Sequence, residues 1–278
     1  MLIPLSVFIG FAASAIGFTA WPLIVPVFFV LFGFDLYLTL FISLLIDCGN
    51  ALMMVLTAYP HKRVDVKFGL MMSAFALIWI AAGIALGTIF IPGHQEMFRG
   101  AAGFLVILFG VAFIFRGYRI KLKMAAGAYD PEAILHFPEI HRQSLAKSRS
   151  RLIYPAVAAM GFQVGLIGIG GGMGFAVFLM ACLAYPTLTA TGTAMMITFC
   201  CTLFAAAGIF FQIPDGIFSN PVLIQLIPLV VAMSMLGTRL GAKISYALAD
   251  DHVNYLIGGI VLTAGLLAAL QKFLLQFV

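Results

Sequence analysis

The sequence predicts an all-α polytopic membrane protein built from two repeats of four segments each. Of its 278 residues, 63% are hydrophobic and only 9% are charged, whereas a soluble domain has about 25% charged residues. Apolar runs long enough to cross a bilayer as helices recur along the chain. Two of these runs are longer than one helical crossing needs, and both contain helix breakers near the middle.

Hydropathy divides the chain into a series of apolar segments. They cover residues 2–33, 36–58, 68–91, 97–115, 152–184, 187–211, 221–238 and 253–277. The first segment lacks the basic start of a signal peptide and continues into more apolar sequence, so we expect it to be retained. We expect a turn at "GHQEMFRG", between the third and fourth segments.

The first segment of each predicted repeat is broken. Residues 2–33 and 152–184 would each be about 48 Å long as continuous helices, whereas the hydrocarbon core is about 30 Å thick. The breakers are "SAIGFTAWP" in the first and "GLIGIGGGMG" in the second. The third segment of each half carries a small-xxx-small pair, which favours close helix packing and would permit a homodimer. These pairs are Gly83/Gly87 and Gly237/Gly241. The predicted organisation is a first transmembrane repeat at 1–115, a basic loop at 116–151 and a second transmembrane repeat at 152–278.

Basic residues predict the orientation. Most Lys and Arg residues lie in the loops at 59–67 and 116–151, so we expect both loops to be cytoplasmic in a multi-pass protein of a bacterial inner membrane. The net charge of +5 comes from such loops and is no sign of a nucleic-acid partner. In the second half, "QIPDGIFSN" has no basic residue, and the next connection carries Arg239 and Lys243. This exchange favours inverted repeats, in which each broken segment returns as a hairpin. Parallel repeats, with single crossings, remain the alternative.

The glycine-rich break predicts an anion site. Backbone groups unpaired inside a membrane are tolerated only where protein buries them or water reaches them. Glycine lets the backbone approach a ligand, and a half-helix that follows directs its free N–H groups towards that point. A glycine-packed helix crossing without a ligand is the alternative. The candidate binding residues here are Gln163, Gly168, Gly170, Gly171 and Gly172.

The first break offers side chains in place of glycines. Its candidate binding residues are Ser14, Gly17, Thr19 and Trp21. Hydroxyl and indole donors of the first break would face the backbone N–H groups of the second break. The substrate would then bind between the two halves. Interfacial anchoring is the alternative role of Trp21.

Polar residues inside the second segment of each half are further candidates. Asp47 is the only acidic residue deep inside a segment, where the protonated form is favoured and a functional role is expected. We predict proton coupling by Asp47 together with Asn50, one turn further on; a neutral acid hydrogen-bonded to Asn50 is the structural alternative. Thr191 and Thr193 are candidates to line the cavity beside the break, as is Ser43; their alternative role is bonding to the carbonyl four residues earlier.

The cysteines and histidines lack the spacing that a metal or redox site requires. The four cysteines lie in apolar segments, and neither they nor the histidines show a metal-ligand or redox pattern. We therefore expect no metal, no cofactor and no enzyme activity. An intramembrane enzyme or redox protein would have to use the vicinal pair Cys200 and Cys201.

Three stretches resemble the TauE/SafE family, also called the 4-toluene sulfonate uptake permease family of membrane transporters. "GFQVGLIGIGGGMGFAVFLMACLAYPTLTATGTAMMI" is similar to its glycine-rich segment and the stretch after it, "RVDVK" to its loop after the second segment, and "GTRLGAKIS" to a later segment. The resemblance covers all but the central loop. The chain departs from the family at "SAIGFTAWP", where glycines are replaced, and at "GGMGFAVFLM", which lacks the usual proline.

The resemblance implies a secondary transporter, in the direction of export, for sulfite or small organosulfonates such as sulfoacetate or sulfolactate. Alternating access with proton coupling is the expected mechanism. No ATP-binding P-loop pattern occurs in the chain. A passive anion channel is the alternative within the same substrate class.

Overall fold

The structure is a computed structural model that describes residues 2–16, 24, 34, 36–126, 139–168, 170–183, 185–213 and 221–247, and single positions at 255, 259, 262, 263 and 266. These residues are almost all helical and include no strand. The helices with defined bounds are α1 (Leu2–Ile16), α2 (Leu36–Ala58), α3 (Val66–Ala125), α4 (Glu139–Ile167), α5 (Gly172–Leu183), α6 (Thr187–Phe210) and α7 (Pro221–Ala247). A 3-10 turn, Tyr59–His61, follows α2.

Four stretches of described helix are long and apolar enough to cross a membrane: Tyr37–His61, Val66–Phe90, Leu188–Phe210 and Gln225–Lys243. Two shorter apolar helices, Leu152–Ile167 and Gly172–Leu183, lie on either side of the glycine-rich break. The prediction of an all-α polytopic membrane protein is confirmed.

One predicted turn is wrong. α3 is a continuous helix of 60 residues, Val66–Ala125, and it passes through "GHQEMFRG". After Gly93 this stretch contains Gln95, Glu96, Met97 and Arg99, which are good helix formers and do not end the helix. At 1.5 Å per residue α3 is about 90 Å long, three times the hydrocarbon thickness.

The predicted basic loop at 116–151 is helical at both ends. Its first part belongs to α3, which ends at Ala125, and its last part belongs to α4, which begins at Glu139. Residues 127–138 lie outside the described residues. The positive charge of this region is therefore carried largely by helix ends.

The second broken segment is a hairpin of two half-helices. α4 runs parallel to α3: a Cβ atom on Gly161 would lie 2.8 Å from the carbonyl oxygen of Ala76, and Gly165, further along, lies directly against that of Ile80. After the break, α5 leads back towards the start of α3. There the ring of Tyr185, just after α5, lies 6.1 Å from that of Phe68.

The first broken segment is described only in part. α1 ends at Ile16, and residues 17–23 lie outside the described residues. α1 packs on α7 through glycines, because Gly10 lies directly against the carbonyl oxygen of Ser234 and Gly237 against that of Val7. Neither glycine has room for a side chain, which is the close packing that small-xxx-small pairs predict.

α2 and α6 pack side by side in opposite directions. At one end, the rings of Phe41 and Phe210 have centroids 5.7 Å apart. At the other end, a Cβ atom on Gly192 would lie 3.3 Å from that of Ala58. These two helices therefore pack antiparallel along most of their length.

α2 lies between two hydrophobic cores. Leu40 and Leu44 belong to a core shared with α3, α4, α5 and α6. Ile42 and Ile46 belong to a second core shared with α1 and α7. α2 contains the most buried of the four candidate spans, so its polar side chains are held inside the protein.

Candidate functional site

The glycine break has the backbone conformation that only glycine adopts easily. Gly168 has φ +69° and Gly171 has φ +72°, in the left-handed region that is strained for other residues. The N–H of Gly168 donates to Val164 O at 3.0 Å and ends α4, and the N–H of Phe175 donates to Gly171 O at 2.9 Å and begins α5. Gly168, Gly170, Gly171 and Gly172 are all buried, so the predicted glycines do lie together.

The break leaves backbone donors inside the protein. Because the first helical hydrogen bond of α5 starts at Phe175, the N–H groups of residues 172–174 have no acceptor within that helix. They lie at the positive end of the α5 dipole, an arrangement that binds anions. Gln163, half-buried on α4, lies just over one turn before the break. The site thus offers hydrogen-bond donors without a basic side chain.

α2 brings a polar face to the interior beside this break. Ser43, Asp47 and Asn50, four and three residues apart, are 0%, 1% and 2% exposed and share one side of the helix. We call these three residues the α2 polar face. Leu40, one turn before Ser43, lies 3.0 Å from the position that a Cβ atom on Gly168 would take. The polar face therefore begins next to the glycine break.

A hydrogen-bonded cluster lies at the other end of the α2 polar face. Asn50 Oδ1 accepts hydrogen bonds from Ser234 Oγ at 2.9 Å and Thr238 Oγ1 at 2.8 Å. Thr238 Oγ1 also lies 3.2 Å from Gly10 O. The cluster joins α2, α7 and α1, and its hydroxyls on α7 were missed by sequence reasoning. Their proximity to Gly237 within a small-residue segment was the available signal.

Ser14 uses its hydroxyl within its own helix. Ser14 Oγ donates to Gly10 O at 2.8 Å, and the side chain is 0% exposed. This is the alternative that competes with ligand binding for a helical serine. The other candidates of the first break, Gly17, Thr19 and Trp21, lie outside the described residues.

Thr193, a residue of α6, lies next to the start of α3 and not beside the glycine break. Its Oγ1 accepts a hydrogen bond from the backbone N–H of Asp65 at 3.0 Å, whereas the break lies beyond the contact of Gly165 with Ile80. About 15 residues of α3, roughly 22 Å, separate these two levels. Thr191, 8% exposed, is two residues from Thr193 on the same helix.

Asp65 organises this end of the protein, although sequence reasoning did not select it. Its Oδ1 accepts the N–H of Phe68 at 3.2 Å and caps α3, and its Oδ2 accepts the hydroxyl of Tyr185 at 2.9 Å. A cap three residues before a helical N–H is a recognisable signal in "RVDVK". The contact with Tyr185 has no local signal, because 120 positions separate the two residues.

Cysteines and histidines form no cluster in the described part of the chain. Cys48, Cys182, Cys200 and Cys201 are thiols and form no disulfide with one another. No group of three or more His, Cys, Asp or Glu side chains that could hold a metal ion occurs among the described residues. The chemistry present at the break and on α2 is hydrogen bonding by amides, hydroxyls and one carboxyl group.

Comparison with known families agrees with this chemistry. The family model described as sulfite exporter TauE/SafE matches residues 2–268, nearly the whole chain. No curated protein and no solved structure matches the chain. The matching family is one of membrane transporters and not of enzymes. The chain belongs to the sulfite exporter TauE/SafE family.

Proposed function

We propose that this protein is a secondary transporter that exports sulfite or a small organosulfonate, such as sulfoacetate, across a bacterial inner membrane by alternating access. The observation that carries the proposal is the glycine break. Gly168 and Gly171, both with left-handed backbone conformations, end one half-helix and begin the next within a buried apolar hairpin. The free N–H groups at the start of α5 supply an oxyanion site that needs no compensating cation.

The residues proposed to contact the anion, at the break or along its path, are the predicted ones. Gly168, Gly170, Gly171, Gly172 and Gln163 contribute from the second half. Ser14, Gly17, Thr19 and Trp21 contribute from the first half, and Thr191 and Thr193 line the path towards the start of α3. Burial of the four glycines and of Thr193 supports a protein-lined path rather than a lipid-facing one.

Asp47 and Asn50 are proposed to couple transport to protons. Asp47 is 1% exposed in a spanning helix between two hydrophobic cores, where an ionised carboxylate is costly. An ionised Asp47 would repel the substrate, and a protonated one would admit it. Proton binding and anion binding would therefore favour each other.

Two inverted repeats, 1–115 and 152–278, are proposed as the architecture of alternating access. Gly83 of α3 lies against Phe162 O, and Gly237 of α7 lies against Val7 O. The glycines on the first segments, Gly165 and Gly10, lie against Ile80 O and Ser234 O in the same way. The first segment of each half thus packs on the third segment of the other half. The antiparallel packing of α2 and α6, the two second segments, supports inverted rather than parallel repeats.

The proposed orientation places the loops at 59–67 and 116–151 in the cytoplasm. His61, Lys62 and Arg63 cluster in the first of these loops, at the end of a candidate span, which supports this side. A homodimer stays a prediction. Gly83 and Gly237 are occupied by crossings within the chain, so a dimer would have to use other surfaces.

Transport by the purified protein in liposomes tests the proposal. We expect saturable flux of sulfite, sulfoacetate or sulfolactate, counter-flow of labelled substrate, and little flux of acetate. Equal flux of acetate would contradict the substrate class. Flux without counter-flow would contradict alternating access and indicate a passive channel.

A further inference from the structure

Ser43 differs from three other buried hydroxyls on the described spanning helices. Ser73, Thr198 and Thr202 each donate to the carbonyl oxygen four residues earlier, at 2.7 to 2.8 Å. Ser43 Oγ is equally buried, at 0% exposure, but has no hydrogen-bond partner among the described residues. A buried hydroxyl without a partner is costly. The Ser43 hydroxyl beside the glycine break therefore points to a ligand that accepts its hydrogen bond.

Asn50 carries a second buried donor of this kind. Two hydroxyls, of Ser234 and Thr238, donate to its Oδ1 at 2.9 and 2.8 Å. Its Nδ2 is buried and makes no hydrogen bond to any described residue. Because the carbonyl end is held by α7, the amino end is fixed in direction before a ligand arrives.

We propose that the α2 polar face is a donor-lined binding surface for the transported oxyanion, with Ser43 Oγ and Asn50 Nδ2 as the donors. This inference rests on the proposed transport function and assigns residues beyond the glycine break. Seven residues, about 10 Å along the helix axis, separate the two donors, so a small anion contacts them one after the other. Asp47 lies between them and presents a third donor when it is protonated.

The groups that face this surface favour an anion over a cation. Asn50 Oδ1 is already occupied, which leaves only the donor end of the amide. Among the side chains that the structure describes, the helices packed against α2 bring few titratable groups: α1 has none, α6 has Cys200 and Cys201, and α7 has Arg239 and Lys243, both exposed. Within α2, Cys48 follows Asp47 directly. No described carboxylate other than Asp47 would oppose an anion on this face.

Sulfite and sulfoacetate uptake into liposomes tests the surface with Ser43→Ala, Ser43→Thr and Asn50→Asp. We expect KM to rise about tenfold or more in Ser43→Ala, the loss of one hydrogen bond to a charged group, and to recover in Ser43→Thr. Asn50→Asp keeps the acceptor for Ser234 and Thr238 but removes the donor, so we expect a larger rise. Thermal unfolding should show Ser43→Ala to be at least as stable as the wild type, because it removes an unsatisfied buried group.

Ser73→Ala is the matched control, because that hydroxyl is satisfied by its own helix, and its KM should stay unchanged. An unchanged KM in both Ser43→Ala and Asn50→Asp, with a transporting wild type, overturns this inference and leaves the proposed function intact. A wild type that moves neither anion overturns both. A Ser43→Ala variant that alters the dependence on sodium but not on the anion would show a cation site and also overturn the inference.

Discussion

The hydroxyl of Tyr185 donates to Oδ2 of Asp65 at 2.9 Å and joins the end of α5 to the start of α3. The same aspartate caps α3 through Phe68 and holds Thr193 of α6 through its backbone N–H. α5 begins at the glycine break and ends at this contact. One carboxylate therefore fixes the point at which the hairpin returns, far from the proposed anion site.

Tyr185→Phe should weaken this anchorage. Loss of a hydrogen bond to a charged acceptor costs about 1.5–3 kcal/mol, so we expect a lower unfolding temperature in detergent. Tyr154→Phe is the control, because Tyr154 is 48% exposed, and it should unfold like the wild type. If both variants matched the wild type, the contact with Asp65 would contribute nothing to the stability of the hairpin.

Gly171→Ala should damage the break itself. The alanine would have to adopt φ near +72°, which costs about 1–2 kcal/mol. Its Cβ atom would also lie 2.8 Å from Val164 Cγ2 and 2.9 Å from Phe175 Cε2. We expect reduced sulfite flux at equal protein incorporation, because the start of α5 is displaced.

Gly259→Ala serves as the control for that variant. Gly259 is an exposed helical position, and no described residue lies within 4 Å of the place that a Cβ atom would take, so alanine should be neutral or stabilise by about 1 kcal/mol. Normal flux in Gly171→Ala would argue against a role of the break in binding.

The helix crossings at Gly83 and Gly237 should lose similar stability when the glycine is replaced by a larger residue. Gly83→Ala and Gly237→Ala each place a methyl group against a backbone carbonyl, of Phe162 and of Val7, and overpacking of this kind costs about 1–3 kcal/mol. We expect similar losses of thermal stability in the two variants, as repeated halves require. In Gly49→Ala, the new methyl would meet the flexible side chain of Met235 at 3.0 Å and should be tolerated better. A large loss in one crossing variant and none in the other would count against equivalent repeats.

The residues that follow the packing glycine differ between the two first segments, with a physical consequence for the helix. In the second half, the next glycine, Gly168, comes three residues after Gly165, and α4 ends at Ile167. In the first half, Ala13, Ser14 and Ala15 follow Gly10 at the corresponding distance, and α1 continues to Ile16. Alanine and serine sustain a helix where glycine ends it, so Ser14 bonds to its own helix.

The contacts of Asn50 and Asp65 could not be predicted from local patterns. Their partners lie 184 and 188 positions away for Asn50 and 120 and 128 for Asp65. Periodicity places a side chain on a helix face but does not identify the helix that packs against that face. The continuous course of α3 through "GHQEMFRG" was not predicted, because the polar residues there indicate a turn, whereas Gln95, Glu96 and Met97 are also good helix formers.

Asp47→Asn should separate anion transport from the pH gradient. The amide imitates the protonated carboxyl group in shape and cannot ionise, and Asp47 is buried on the α2 polar face at 1% exposure. We expect wild-type uptake of sulfoacetate, whose charge is constant from neutral to mildly alkaline pH, to fall as pH rises, because the ionised carboxylate repels the anion. The variant should keep saturable uptake but lose this pH dependence and the response to an imposed gradient. Cys48→Ala, which alters the neighbouring buried thiol, should keep both. A gradient response that survives in Asp47→Asn would place the coupling group elsewhere in the chain.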